Sequence, residues 1–142
     1  MIRGYQASDV DQVMEIWDEA SVIAHSFLDP DFFETERRRI IDSYLPMSET
    51  YVYEKDDQIA GFISLLSHEV GGLFVAPRQQ RQGIGRCLID YAQALKGILE
   101  LSVFKENHTG RAFYERCGFQ TVSEVLDQET GHMQVFMRRP QR

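Results

Sequence analysis

Val10, Val13, Met14 and Trp17 recur at three- and four-residue spacing, which predicts an amphipathic first helix reaching to about Ala24. Ser8 is placed to cap it, and Asp9 and Asp11 stand in the first turn, where the helix dipole favours anions. Residues 2–6 ahead of it read as a short strand. Asp29 followed by Pro30 marks a second helix start, because a proline at the first helical position lacks an N–H that would go unused anyway. Phe33, Ile40, Ile41 and Tyr44 give that helix an apolar stripe, and Pro46 is expected to end it.

The period then changes from helical to alternating. Residues 50–55 and 58–66 read as two strands joined by a tight turn at Asp56-Asp57, and 69–77 as a third with the pair Gly71-Gly72 inside it. Glycine weakens a strand interior, so the pair predicts a bulge or a place where a ligand or another chain lies against bare backbone. Ile84, Leu88, Tyr91, Ala92 and Leu95 mark a further helix, 98–104 the next strand, and 109–117 a short helix stopped by Gly118. Strands at about 119–126 and 133–138 close the chain around the polar DQETGH. This order predicts a mixed α/β (α+β) architecture, a central sheet of about six to seven strands flanked by about four helices, in one domain over 1–142.

Composition narrows the function. With 142 residues and 43% hydrophobic content, the chain can close a core unaided. Apolar runs stop well short of the roughly 20 residues that cross a bilayer, and the N-terminus lacks a secretory pattern, so a soluble cytoplasmic protein is expected. Cys87 and Cys117 are too few for a disulfide framework; reduced thiols are expected, with Cys87 buried on the face of Ile84 and Leu88. No His or Cys spacing fits a metal site. A net charge of −7 argues against nucleic acid and anionic membrane as partners. Yet residues 70–89 carry no Asp or Glu and include Arg78, Arg81 and Arg86, a cationic window where a small polyanion can dock.

That window contains PRQQRQGIG, residues 77–85, at the start of a predicted helix. The first amides of a helix have no internal acceptor, so a glycine loop feeding such an end presents a nest of donors suited to phosphate. Gly83 and Gly85 would permit close backbone approach, with the arginines on the rim. A surface turn of solvated arginines is the alternative. Nucleoside triphosphate loops need Gly-Lys-Ser/Thr, absent here, and a dinucleotide fingerprint needs a third glycine where Leu88 stands.

Gln80-Arg81-Gln82-Gly83-Ile84-Gly85, directly after a strand ending LFVAP, resembles the acyl-coenzyme A pyrophosphate loop of the GNAT N-acetyltransferase superfamily. NHTGRAFYERCGF at 107–119 resembles that family's downstream signature, and His25-Ser26-Phe27-Leu28 is similar to an element of its small bacterial acetyltransferases. The resemblance implies the GNAT-like fold, acetyl-CoA as co-substrate and direct transfer of its acetyl group to a primary amine in a ternary complex. The amine would belong to a small molecule, a protein lysine or an N-terminus.

Residue by residue, the resemblance assigns the diphosphate to Gln80, Arg81, Gln82, Gly83, Ile84, Gly85 and Arg86, and the pantetheine arm to the main chain of Leu73, Phe74 and Val75. Tyr114 becomes the acid for the departing thiolate, with amphipathic packing as its alternative, and Asn107 either holds the arm or caps its helix. Phe113 reads as core. The attacking amine must lose a proton, for which Glu69 is the first candidate and His68 the second. His25 and Phe27, with His68, are expected around the acceptor; His108 and His132 receive no role, and a cysteine-borne intermediate is rejected. The acidic balance and the carboxylates of DQET suit a cationic acceptor. A non-catalytic acyl-CoA sensor or partner module and a different nucleotide ligand remain as rivals, and the chain is expected as a monomer or homodimer.

Overall fold

A computed structural model describes residues 1–141. The strands are β1 (Ile2–Gly4), β2 (Glu49–Lys55), β3 (Gln58–Leu66), β4 (Glu69–Val75), β5 (Leu99–Phe104), β6 (Gln120–Leu126) and β7 (Met133–Arg139). The helices are α1 (Val10–Ala24), α2 (Pro30–Arg39), the single turn α3 (Leu45–Met47), α4 (Ile84–Lys96) and α5 (His108–Arg116). One seven-stranded sheet runs β1-β2-β3-β4-β5-β7-β6, antiparallel except for β4 beside β5.

Two cores cover its faces. Against α4 and α5 pack Ile63, Leu65, Val70, Leu99, Leu101, Val103, Val135 and Met137, with Ile84, Leu88, Ile89 and Ala92 from α4. Against α1 pack Val52, Ile59 and Phe62, with Val13, Met14, Ile16 and Trp17 from the helix. Strand alternation divides the residues in this way: β5 sends Leu99, Leu101 and Val103 to the α4–α5 face, leaving Glu100, Ser102 and Phe104 for the opposite one.

Several local expectations hold for the stated reasons. Asp56 and Asp57 take φ of 54° and 63°, the left-handed pair that matches hairpin twist. Asp29 Oδ1 accepts from Asp31 N at 2.9 Å and Pro30 opens α2. In β4 the register with β3 slips between Ser64 and Leu65, so Gly71 is the extra residue of a bulge.

Others are corrected. Ser8 does not cap α1. It lies in a 3-10 turn, Ala7–Asp9, where the Asp9 carboxylate accepts from Gln6 N at 2.8 Å and from both Arg3 terminal nitrogens at 2.9 and 3.0 Å. Phe33 and Ile40 of the predicted stripe do pack, half-buried, against the α1 core, but Ile41 is exposed, and the helix widens into a π-turn over Ile40–Tyr44 before α3. Pro46 does not stop the helix but sits inside that last turn. Lacking an N–H and crowding the carbonyl four residues back, it favours a wider turn upstream. Cys87 is exposed and Cys117 buried, since the inward face of α4 is centred on Ile84, Gly85, Leu88, Ile89 and Ala92 and Cys87 points away from it. Tyr91 and Leu95 are exposed for the same reason.

Candidate active site

β4 and β5 pair only at Glu69↔Glu100 and Val70↔Leu101. β4 stays bonded to β3 as far as Val75, and β5 to β7 as far as Phe104. The two parallel strands therefore part inside the sheet, and one edge of Gly71–Val75 faces a wedge with no ladder partner among the described residues. An unpaired edge of this kind is a template for an extended ligand.

The glycine loop stands at the open end of the wedge. After the 3-10 turn Pro77–Gln79, Arg81 takes φ 66° and Gly83 φ 81°, and Gly83 becomes the N-cap of α4 without any side-chain cap. The leading amides of α4 are thus left for a ligand or water. Gln80 Nε2 donates to Val75 O at 3.2 Å and Lys55 Nζ to Gln82 Oε1 at 2.5 Å. Two of the three rim arginines lean elsewhere: Arg86 Nη1 donates to Arg116 O at 3.3 Å and Arg78 approaches Glu19 at 4.0 Å. Gly85 also has a different reason from the one its spacing suggested. A side chain there would meet Phe113 Cζ at 2.9 Å, so the position is glycine for the contact between α4 and α5, and Phe113 is indeed a packing residue.

Asn107 caps α5. Its Oδ1 accepts from Gly110 N at 3.0 Å, and its Nδ2 donates to His25 Nε2 at 3.4 Å. An amide nitrogen can only donate, so His25 is neutral with its proton on Nδ1. Burial agrees, holding the His25 pKa below its ordinary value. Two turns on, the Tyr114 ring meets Phe113 and Phe119 edge-on at 5.4 and 5.5 Å and packs against the core that Leu73 and Val75 also touch. Burial, with a smaller contribution from Cys117, pushes the Tyr114 phenol well above its usual range.

On the opposite face His25, Phe27 and Phe104 contact edge-on at 5.5 to 6.1 Å, and Phe27 reaches His132 at 5.0 Å. His132 Nδ1 donates to Glu106 Oε1 at 2.8 Å, so the histidine set aside in the sequence lies beside the group predicted around the acceptor. His68 Nε2 donates to Glu100 Oε1 at 2.5 Å, while Arg138 donates to Glu100 Oε2. Arg138 first, then His68, hold the Glu100 pKa below the ordinary carboxylate value. Glu69 is exposed and stands across the register from Glu100. Arg39 ties Glu36 of α2 to Glu129 of the final hairpin at 3.0 and 2.8 Å. Tyr44 extends from the π-turn to the β4 bulge, where a side chain on Gly71 would collide with it. Among the described residues no three His, Cys, Asp or Glu side chains converge as metal ligands, and no helix is long and apolar enough to cross a membrane.

Comparison with known proteins gives this geometry a family. The acetyltransferase (GNAT) domain profile matches residues 46–121, from α3 into β6. The chain belongs to the GNAT acetyltransferase family. It is 31% identical over 131 residues to the peptidyl-lysine N-acetyltransferase YiaC of Escherichia coli, covering 92% of this chain and 90% of that protein. With the peptidyl-lysine N-acetyltransferase YjaB of the same organism it shares 29% over 129 residues, 89% of this chain and 87% of the other. The solution structure of apo-form YjaB superposes with a TM-score of 0.88 at 22% identity, over 100% of this chain and 98% of that one. The chain is thus a GNAT N-acetyltransferase, and the mixed sheet with flanking helices is the fold of its structural neighbours.

Sequence reasoning missed Glu100, Tyr44 and the His132–Glu106 pair. Each depends on contacts between distant segments, and the only local signal was Tyr44 falling in a predicted apolar stripe.

Proposed function

We propose that the chain transfers the acetyl group of acetyl-CoA directly to a primary amine in a ternary complex, with a protein lysine as the acceptor class. The observation that carries this reading is the parting of β4 and β5 beyond Val70 and Leu101, with an uncapped helix start at its open end. The peptidyl-lysine activity in the names of YiaC and YjaB supports the acceptor.

The loop 80–85 would hold the diphosphate through the leading amides of α4, and the free edge of Leu73–Val75 would pair with the pantetheine arm. Acetyl-CoA supplies the activated acyl group. A lysine amine is neutral in only about one molecule in 10³ at pH 7. Glu69, exposed beside the point of divergence, takes the amine's proton as the new C–N bond forms. The C–S bond breaks, and Tyr114 gives its proton to the leaving thiolate. Burial holds the phenol protonated at neutral pH, and because it also raises the pKa above that of a thiol, the transfer to the thiolate is an uphill step that positioning must offset.

Tyr114→Phe tests the assignment. Removing a positioned acid costs about 10²- to 10⁴-fold in turnover, read as thiol release with a lysine peptide, while acetyl-CoA still binds in calorimetry. Unchanged turnover removes Tyr114 from the reaction, and coenzyme binding with no thiol release for any amine in a panel favours a sensor module instead.

A further inference from the structure

Glu69, Glu100 and Arg138 stand in one row across β4, β5 and β7, each the register partner of the next. Register partners share a face, and theirs is the face opposite α4 and α5, since Val70, Leu99, Leu101 and Met137 beside them enter the α4–α5 core. α1 covers β2 and β3 on that side, but its core takes no residue of β5, β6 or β7. Ser102 and Arg138 are exposed, and so is all of β6. Arg138 is exposed yet held. Its Nε donates to Glu100 Oε2 at 2.8 Å, Nη2 lies 2.7 Å from the same oxygen, and the guanidinium carbon sits 5.9 Å from the centre of the Phe136 ring. His68 donates to the other Glu100 oxygen, so both oxygens are engaged. Arg138 Nη1 takes part in neither contact, and 44% of the side-chain surface stays open. A guanidinium fixed in this way has already lost the freedom that a mobile cation gives up on binding, and its planar fork suits a carboxylate.

We propose that Arg138 is a specificity-determining residue of the acceptor site: its Nη1 donates to a carboxylate that the acceptor carries close to its reactive lysine. The proposal rests on the acetyl-transfer reading, in which the lysine amine reaches Glu69 where β4 and β5 part. Neighbouring strands lie about 4.8 Å apart, which places the Glu69 and Arg138 backbones about 10 Å from each other. In an extended acceptor the second residue along is about 7 Å from the lysine and points the same way, and the arginine side chain spans the remainder. A net charge of −7 repels acidic acceptors as a whole, so a preference for one requires a local contact. Two sources supply this chemistry: an Asp or Glu side chain near the lysine of a protein, and the α-carboxylate of a free amino acid.

The test measures thiol release from acetyl-CoA with paired acceptors: blocked peptides that differ only in Glu or Gln two residues from the lysine, on each side in turn, and free lysine against its amide. In wild-type protein the carboxylate member of at least one pair is expected to be favoured about five-fold in kcat/KM, chiefly through KM, the upper range for an exposed ion pair. A preference among the peptides assigns the carboxylate to a side chain, and one for free lysine over its amide assigns it to the α-carboxylate. Arg138→Gln is expected to abolish the preference and Arg138→Lys to keep part of it. The double variant Glu100→Gln/Arg138→Gln leaves the net charge unchanged and is also expected to show none, which separates a direct contact from a change in the local field. The ratio within a pair cancels any general loss of activity. A preference that survives in the double variant overturns the proposal, and so do equal rates within every pair for the wild type. Failure of the wild type to release thiol with any amine refutes the acetyl-transfer reading itself.

Discussion

Asn107 separates two roles that its sequence position leaves open. Both polar atoms are engaged within the protein: Oδ1 accepts from Gly110 N at 3.0 Å and Nδ2 donates to His25 Nε2 at 3.4 Å. The side chain is buried, and a carbon on Gly110 would collide with it, so the cap is tightly fitted. Asn107→Ala removes the cap, worth about 1 kcal/mol, and leaves His25 without a donor, worth about 1 kcal/mol more for a bond of this length. In a chain of this size each kcal/mol moves the unfolding midpoint by about 3 °C, so a drop of about 6 °C is expected.

Asn107→Asp refines the test. The carboxylate still accepts from Gly110 N and gains from the start of α5, but it places an acceptor against the acceptor nitrogen of His25. In the wild type the folded pKa of His25 is depressed, so that residue's contribution is present above about pH 6.5 and lost as pH falls through the folded value. In the Asp variant the folded pKa is raised, and the contribution is present below about 6.5 and lost as pH rises. Thermal scans from pH 8 to pH 5.5 are therefore expected to show Asn107→Asp gaining on the wild type as acidity increases. An Asn107→Ala protein with an unchanged midpoint and weakened acetyl-CoA binding would refute this reasoning, giving the side chain to the pantetheine arm.

Gly83→Ala meets open space at its new carbon, so its cost is that of φ 81° alone, about 1 kcal/mol in denaturant unfolding. Calorimetry is expected to show weaker acetyl-CoA binding as well, and unaltered affinity would remove the loop from the diphosphate site. Arg3→Ala strands the buried Asp9 carboxylate and is expected to lower the urea midpoint at pH 7, by less than the loss of a fully buried partner would because Arg3 is part-exposed. The Arg3 partnership lowers the Asp9 pKa, so wild-type stability from this pair is lost as pH falls through the folded value, and urea curves for the two proteins are expected to converge as pH drops below the ordinary carboxylate range.

Features set by one residue's backbone chemistry were legible in the sequence. The Asp29-Pro30 start, the Asp56-Asp57 turn, the Gly118 stop at φ 99° and the bulge at the glycine pair each follow from local sterics. What depended on rotation about a helix axis was less secure. Cys87 lies about 200° round α4 from Gly85, so with Gly85 turned inward against Phe113 the cysteine cannot share the buried face that its hydrophobicity and its nearness to Ile84 and Leu88 suggested. The π-turn left only Pro46 as a trace, and the meeting of its last residue, Tyr44, with Gly71 of β4 had none. The parting of β4 from β5 had no local signature either, since Glu69 and Glu100 are brought together by the whole sheet. The family motifs pointed to a cofactor loop, to the Phe113-Tyr114 helix and, through His25 and Phe27, to part of the aromatic group, but not to Phe104, His132 or Glu106 beside it. His132 and Glu106 meet there only because β7 returns beside β5.

The wedge raises a mechanical question, since a sheet split between two parallel strands should hinge there. α4 and α5 oppose this from one face: their shared core takes in Leu73 and Val75 from one lip, and Val103 and Val135 from the other side. Phe113 packs so closely on Gly85 that a side chain there would collide with it. Gly85 is the last residue of the glycine loop and the second of α4, and Phe113 immediately precedes Tyr114, so this contact ties the position of the loop to that of Tyr114. The second glycine of Gly-Ile-Gly is therefore a requirement of helix packing as well as of backbone access. In a reaction where a misplacement of about 1 Å can cost two orders of magnitude, a fixed helix-to-helix distance would let the loop and the phenol proposed above, on separate elements, serve one thioester.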